Sequence, residues 1–461
     1  MNRSDRLGRG RPGRLLVEFS LPAIASMLVN ALYNVVDRMF VGQAVGSLAI
    51  AGITVGFPIM IISMAISALI SLGATASISL RLGEGKKEAA ELIAGNALVL
   101  LLAAGAGLSL FGLRYLEPIL AAFGAGPAIM PYAAEYMRVI LAGNALMSVG
   151  FGLSHMIRAE GNPSVPMLIT MVATGTNIFL DWLTVFPLGM GVRGAALATV
   201  ISQGIGAAIA LGYYLRGRSL LKLRLPNLRL RMGVCLGIAS LGIPQFVMQG
   251  INSVQQVILN RSLAYYGGDL AIAAMGIVFS LGTFLLMPVI GVAQGAQPIV
   301  GYNYGAGHFG RVRETLKLAI LGATGVVFAG FLVTRIWPEE LLSLFSRDDP
   351  ELVRLGAHVL WWFFLLVPTA GFQVISAGYF QAVGKPVHST LLTLSRQVLL
   401  FIPLLLILPR IWGLEGIWRV APLADIGSAI ITAVFILREL RRLAEGRMPL
   451  LELANSPADR G

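Results

Sequence analysis

The chain has 461 residues, of which 56% are hydrophobic and only 13% are charged, and its mean hydropathy is +0.78. A soluble domain carries about a quarter charged residues, so this composition excludes a soluble protein and indicates an all-α integral membrane protein. One cysteine and four scattered histidines exclude a disulfide framework and argue against a metal site. The net charge of +12 invites a nucleic-acid partner, but the basic residues lie between apolar segments, where they indicate membrane topology instead.

The chain begins with an arginine-rich tail, residues 1–14, followed by a long apolar segment. This segment exceeds the roughly 7–15 residues of a signal-peptide core and contains Glu18 and Pro22. We therefore expect an uncleaved first membrane helix. Toward its other end the helix carries Asp37. A proline and a carboxylate are both costly in hydrocarbon, so a helix that keeps both is expected to use them.

Apolar runs predict twelve membrane spans, each long enough for the roughly 20 residues that a bilayer requires. Of the 35 Arg and Lys residues, 24 fall on the side of the N-terminus and 8 on the opposite side. This asymmetry predicts that both termini are cytoplasmic. The approximate bounds of the spans are 15–41, 48–80, 91–113, 131–157, 164–186, 190–215, 234–260, 270–303, 314–336, 352–381, 387–408 and 412–437.

The two halves of the chain repeat one another. A shift of 222 residues places Pro22 on Pro244 and residues 48–51 on the identical residues 270–273. Six spans in each half give both halves the same orientation, which is the parallel-repeat design of carriers. The repeat predicts two pseudo-symmetric six-helix lobes joined by a basic cytoplasmic linker. The predicted parts are an N-lobe over 15–215, the linker over 216–233, a C-lobe over 234–437 and a cytoplasmic tail over 438–461.

Polar side chains form a stripe on each of two spans of the first half. Spacings of three or four residues place the members of each stripe on one helical face. Asp37, Asp181 and Thr199 of the sixth span lie at a similar distance from the outer ends of their spans. The stripes are Asn30, Tyr33, Asn34 and Asp37 on the first span, and Thr174, Asn177, Asp181 and Thr184 on the fifth.

The sequence predicts an oxygen-rich pocket at this depth. Its groups are two carboxylates, the Asn177 amide and the Thr199 hydroxyl. Such a pocket can bind Na+, or it can exchange protons on acids that burial and mutual repulsion perturb. The alternative is that Asp37 pairs with Arg38 at the membrane interface and Asp181 caps a helix end. Neighbouring residues on a helix point apart, which weakens the Asp37–Arg38 alternative.

In the second half, the position equivalent to Asp37 is Leu259, and the position equivalent to Asp181 is Leu404 or one of its neighbours. We therefore expect the chemistry that needs charge to be confined to the first half. Amides such as Gln249 and Gln256 can line a cavity in the second half, with ordinary helix packing as the alternative. Residues 83–87 lack the GxxxxGK[ST] pattern of a phosphate loop. With no ATPase module and no catalytic constellation, the sequence predicts a secondary transporter, not an enzyme, with no cofactor.

Five motifs are distributed along the chain: Pro22 through Asn34-Val-Val-Asp37-Arg-Met-Phe-Val-Gly42, the turn Leu82-Gly-Glu-Gly-Lys-Lys87, Ala159-Glu-Gly-Asn-Pro163, Asn177-Ile-Phe-Leu-Asp181 and Gly301-Tyr-Asn-Tyr-Gly-Ala-Gly307. With these motifs the chain resembles the multidrug and toxic compound extrusion (MATE) family, and most closely its prokaryotic DinF-like branch. The resemblance covers nearly the whole chain.

The resemblance implies a V-shaped pair of lobes that exports cationic or amphipathic compounds in exchange for H+ or Na+. It implies that Pro22 is the point where the first helix bends, and that Tyr33 and Tyr136 line the N-lobe cavity. Residues 255–260 contain no acid, so a cation site in the seventh span, as in some other branches, is not expected. The coupling site that the resemblance implies consists of Asp37, Asn177, Asp181 and Thr199.

These inferences predict a monomeric antiporter in a bacterial or archaeal cytoplasmic membrane, in contact with lipid and working by alternating access. One alternative is a flippase of the same superfamily for lipid-linked oligosaccharides or lipids. An anionic headgroup would favour a cavity with several arginines, and only Arg138 and Arg396 lie deep within the predicted spans. An alternative from another class is a membrane scaffold or receptor that transports nothing.

Overall fold

A computed structural model describes residues 3–44, 47–345 and 349–444, and the side chains of 3–5, 32–39, 41–44 and 47 lie outside the described set. The described chain is helical throughout. A 3-10 turn, Leu225–Leu228, and a π-helix, Ser395–Phe401, accompany the α-helices. The α-helices are α1 (Arg3–Arg9), α2 (Pro12–Ala44), α3 (Ser47–Gly83), α4 (Lys87–Arg114), α5 (Leu116–Ala122), α6 (Met130–Ala159), α7 (Ser164–Val185), α8 (Gly191–Leu215), α9 (Met232–Gly305), α10 (Phe309–Ile336), α11 (Pro338–Ser343), α12 (Pro350–Phe363), α13 (Pro368–Ala382), α14 (Pro386–Leu394), α15 (Ile402–Trp412) and α16 (Leu414–Ala444).

Every predicted span coincides with helix. Ten helical segments of the described chain are long and apolar enough to cross a membrane, and an eleventh span is formed by α12 and α13, which meet at a 52° bend. The 74 residues of α9 are two helices that meet at Gly268, whose φ of 65° is non-helical. They correspond to the predicted spans 234–260 and 270–303. The all-α membrane fold class is therefore confirmed.

Two compact units divide the helices in a way that the sequence did not predict. One unit contains Ala25–Phe246, and the other contains Gly10–Ile24 and, among the described residues, 247–444. The first part of α2 therefore belongs to the unit formed by the second half of the chain. The first part of α9 belongs to the unit formed by the first half. Pro22 and Pro244 each lie two residues before the last residue of these exchanged segments.

Glycines allow the exchanged segments to pack closely in each unit. In the first unit, a Cβ at Gly242 would overlap the Leu69 carbonyl oxygen, and one at Gly73 would overlap the Ile238 carbonyl oxygen. In the second unit, a Cβ at Gly295 would lie 2.8 Å from the Ser20 backbone nitrogen. The shift of 222 relates Gly73 to Gly295, so the same close packing of small residues occurs in both units.

The basic linker is bound to the first unit by buried polar side chains. Asn96 of α4 is fully buried, and its amide nitrogen donates to the carbonyl oxygens of Asn227 (3.1 Å) and Arg229 (3.2 Å). Its amide oxygen accepts from the Arg231 backbone N–H at 2.8 Å. Because these bonds satisfy the polar atoms of a buried amide, they position the linker directly before α9.

Glu160, at the end of α6, binds the other end of the linker. Its Oε2 accepts from the Ser219 hydroxyl (2.7 Å) and from the backbone N–H groups of Leu220 (2.7 Å) and Leu221 (3.3 Å). The carboxyl group is almost completely buried. Burial raises the pKa of Glu160, and the hydrogen bonds from the linker oppose that rise.

We expect Glu160→Gln to weaken the pH dependence of stability. Because the folded-state pKa is raised, the folded protein binds more protons than the unfolded chain between the two pKa values. Stability is therefore greatest below the ordinary carboxyl pKa and falls as the pH rises through the raised value. Tryptophan fluorescence during thermal unfolding, measured from about pH 4 to pH 7, should give a less negative slope of Tm against pH in Glu160→Gln. The exposed control Glu88→Gln should keep the wild-type slope, and an unchanged slope in Glu160→Gln would contradict the prediction.

Candidate functional site

Three of the four predicted coupling residues meet between α7 and α8. Asn177 and Asp181 lie one turn apart on α7, and Thr199 lies on the facing part of α8. Two glycines with positive φ, Gly189 (58°) and Gly191 (56°), turn the chain back between these helices. The turn brings the end of α7 directly beside the start of α8, which fixes the depth at which the three side chains meet.

A hydrogen-bonded cluster results. With its amide oriented to satisfy both neighbours, Asn177 donates to Asp181 Oδ2 at 3.0 Å and accepts from the Thr199 backbone N–H at 3.3 Å. Asp181 is 0% exposed, and Asn177 and Thr199 are each 2% exposed. An ionised carboxylate in so dry a place is costly unless a positive charge or a proton accompanies it. The cluster can therefore hold a proton on Asp181 or a small cation among its oxygens.

The remaining predicted residues of the first span lie on α2. The side chains of Tyr33, Asn34 and Asp37 are outside the described residues, so the fourth member of the predicted coupling site stays a prediction. Asn30 lies on the same helix and is exposed. Pro22 is inside α2, which continues through it.

The residues predicted to line a cavity differ in their surroundings. Tyr136 is 2% exposed and belongs to a hydrophobic cluster of the first unit that includes Met137. Gln249 on α9 is half-buried. Gln256 is exposed, and its amide donates to Asn260 Oδ1 at 3.0 Å.

An acid of the second half was missed by the sequence reasoning. Asp425 on α16 is 2% exposed, and its Oδ1 accepts from Arg396 Nε at 2.6 Å. A buried ion pair is thus present in the second half, while the expectation that the chemistry that needs charge is confined to the first half stays a prediction. Asp425 is not equivalent to Asp37 or Asp181 in the repeat, although an acid and an arginine in adjacent predicted spans are visible in the sequence. Arg138, the other arginine predicted to lie deep within a span, pairs with Glu117 at 3.0 Å, and both side chains are exposed.

Polar groups surround the Arg396–Asp425 pair. The Gln373 amide on α13 donates to the Asp425 carbonyl oxygen at 3.3 Å, and its own oxygen accepts from the Ser428 hydroxyl at 3.0 Å. Arg396 lies on the π-helix, a form that often marks functional sites. The next residue, Gln397, donates to Asn252 Oδ1 at 3.0 Å. Every polar group named here belongs to the second unit.

Paired sets of apolar helices with a buried carboxylate in each half define a multi-pass integral membrane protein of the transporter class. The sequence model of the MatE family matches the chain twice, over residues 22–183 and 244–407, and these matches begin 222 residues apart. The chain belongs to the MATE family of multidrug efflux transporters.

Individual relatives agree with this assignment. The multidrug export protein MepA of Staphylococcus haemolyticus is 26% identical over 441 residues, covering 95% of this chain and 96% of the relative. The solved structure of the MATE multidrug transporter DinF-BH in complex with R6G is 38% identical, with a TM-score of 0.86, and the match covers 92% of this chain and 95% of that one. A crystal structure of MATE in the bent conformation, 23% identical, has the same fold, with a TM-score of 0.90 and coverage of 96% and 99%.

Proposed function

We propose that the protein is a secondary multidrug antiporter that exports cationic or amphipathic small molecules in exchange for H+ or Na+. The observation that carries this proposal is the buried Asn177–Asp181–Thr199 cluster. Asp181 is a buried acid that contacts the Asn177 amide, which in turn contacts the neighbouring helix α8. Binding of the coupling ion to this acid changes the charge inside the first unit. Asp37, on the helix that carries Pro22, is proposed as the second acid of this site.

Exchange requires that ion and substrate weaken each other's binding. When H+ or Na+ neutralises the acids, a cationic substrate loses the negative charge that attracts it. Linkage makes this effect reciprocal, so substrate binding also lowers the affinity for the ion. A protein that alternates between two access states then moves ion and substrate in opposite directions.

Pro22 is proposed as the point at which α2 bends between these states. A proline removes one backbone hydrogen bond and so weakens the helix locally. Pro22 lies three residues before Ala25, where α2 passes from one compact unit to the other. Pro244 has the same relation to Val247, so a proline at this place is common to both repeats. The combination of a proline with a carboxylate, Asp37, on the same span belongs to the first half alone and distinguishes Pro22 from its counterpart.

The environment follows from the same proposal. The protein is placed in a bacterial or archaeal cytoplasmic membrane as a monomer in contact with lipid, with both termini in the cytoplasm. The asymmetry of basic residues supports this orientation. The basic linker, bound to the first unit by Asn96 and Glu160, then lies on the cytoplasmic side.

Transport by wild-type protein in liposomes tests the proposal and identifies the ion. Efflux of R6G, the compound bound in the DinF-BH structure, should be measured with a proton gradient alone and with a sodium gradient alone. Antiport predicts acceleration by one of these gradients, and a matching ion flux that depends on R6G. A scaffold or receptor gives neither signal. A flippase gives movement of a labelled lipid across the bilayer instead, and either result would overturn the proposal.

A further inference from the structure

The Arg396–Asp425 pair lies at the place in the second half that corresponds closely to the coupling cluster of the first. A shift of 222 residues relates Arg396 to Thr174 and Asp425 to Gln203. Thr174 precedes Asn177 by three residues on α7, and Gln203 follows Thr199 by four on α8. Because α7 and α8 are antiparallel, the two offsets have the same direction along the helix axes. The Arg396–Asp425 pair therefore corresponds to a level about one turn, or about 5 Å, from that of Asn177 and Thr199.

Both sites thus join the fifth and sixth spans of a half through a buried carboxylate. In the first half, Asp181 contacts the Asn177 amide and belongs to the proposed site of the coupling ion. In the second half, Asp425 contacts a guanidinium that belongs to the chain itself. A guanidinium remains protonated at any pH that a protein tolerates. It therefore neutralises Asp425 permanently, whereas an exchangeable ion neutralises its site only part of the time.

We propose that Arg396 is a built-in cation of the second half, which occupies the place of a coupling ion and conceals a monovalent cation site at Asp425. The proposal explains why an acid can remain in this half without binding H+ or Na+ during transport. It makes the second unit electrically constant while the charge of the first unit changes. The contrast between the two halves rests on the proposed antiport. The concealed cation site at Asp425 does not depend on the antiport.

Other titratable groups near α16 are engaged elsewhere. Toward the start of α16, His358 of α12 contacts Glu415 at 2.8 Å. Toward its end, Glu439 accepts from Lys385 at 2.5 Å and from the Tyr379 hydroxyl of α13 at 3.2 Å. Arg335 of α10 lies between two aromatic rings, those of Phe331 and Trp361.

Two further arginines lie on α15 and on α16 itself. Arg410 lies in the last turn of α15, and Arg419 lies between the rings of Trp362 and Trp412. Within the described part of the chain, Arg396 is thus the charged group that faces Asp425.

Removal of the guanidinium should open the site. In Arg396→Gln, Asp425 is left buried without its positive partner, and an uncompensated buried charge is strongly destabilising. The carboxylate should then take a proton or bind Na+. Arg396→Lys keeps a positive charge and should leave the site closed. The double variant Arg396→Gln/Asp425→Asn has no charge to neutralise.

Binding to the full-length protein in detergent tests this proposal without transport. The probes are radioactive Na+ and the proton uptake reported by a pH indicator. Arg396→Gln should bind about one additional H+ or Na+ per chain relative to wild type, as charge neutralisation of a single buried acid requires. Arg396→Lys and the double variant should bind no additional ion. Equal binding by wild type and Arg396→Gln, or an additional ion that persists in the double variant, overturns the proposal.

Two further variants keep the result interpretable. If Arg396→Gln does not fold, the proposal requires the double variant to recover folding, because the uncompensated charge is then gone; failure of both overturns it. Asp181→Asn in the Arg396→Gln background separates this proposal from the antiport. The loss of Asp181 should remove the ion bound by wild type and leave the additional ion in place. If wild type binds no ion and Arg396→Gln binds one, the antiport fails and the concealed site stands.

Discussion

Asp181→Asn should reduce gradient-driven efflux roughly 5- to 150-fold, the range that typical coupling free energies between two ligands span. The amide is nearly the same size as the carboxylate, so it can stay within reach of Asn177, which contacts Asp181 at 3.0 Å in the wild type. It can neither take a proton nor attract Na+ with a full charge. The variant should therefore fold normally and still bind substrate, while the ion gradient no longer drives export. R6G efflux from liposomes under a proton or sodium gradient measures the effect.

The control for this prediction is Asp269→Asn. Asp269 lies on α9, and its side chain is exposed. Asp269→Asn replaces a carboxylate by an amide, as Asp181→Asn does. It therefore reports any effect of the change in net charge alone. We expect wild-type efflux from this control. Wild-type efflux from Asp181→Asn as well would show that Asp181 carries no coupling ion and would remove the observation on which the proposed function rests.

Much of the buried Asn177–Asp181–Thr199 cluster could be predicted because its residues obey simple periodic rules. Asn177 and Asp181 are four apart, which places them on one face of any helix. Thr199 could be assigned to the same depth because a span of known length fixes the distance from its outer end. Composition and hydrophobic runs were likewise sufficient for the spans, since a bilayer imposes one length on every crossing helix.

Other features depend on packing, which periodicity does not encode. The pairing of Arg396 with Asp425 joins two helices, and each residue alone is an isolated charge in an apolar run. Asn96 and Glu160 are ordinary helix-end residues until the linker folds against them. The exchange of helix segments between the compact units is equally hidden, because only the backbone approach at glycines such as Gly242 reveals it. A sequence repeat predicts that equivalent segments make equivalent contacts in both halves. It does not show which of the two compact units each segment packs against.

Gly242→Ala should destabilise the first unit by about 1–3 kcal/mol or more, the cost of overpacking a well-packed interior. The added Cβ would lie 2.6 Å from the Leu69 carbonyl carbon and would overlap the carbonyl oxygen. Backbone atoms cannot turn aside as a flexible side chain can, so α3 and α9 must separate. Thermal unfolding can be followed through the single cysteine of the chain, Cys235, which becomes reactive toward a fluorescent maleimide as the helices open.

Gly237→Ala is the matched control on the same segment of α9. No atom lies within 4 Å of a Cβ at Gly237, and alanine in a helix is favoured over glycine by about 0.5–1 kcal/mol. The control should therefore unfold at the wild-type temperature or slightly above it. Gly295→Ala should repeat the destabilisation in the second unit, because Ser20 approaches Gly295 as Gly242 approaches Gly73. If Gly242→Ala and Gly237→Ala unfold at the same temperature, the close packing does not hold the exchanged segment. In that case the exchanged segment that ends shortly after Pro244 would not be held in place by this packing. The proposal that α2 bends at the counterpart Pro22 would then lose its mechanical basis.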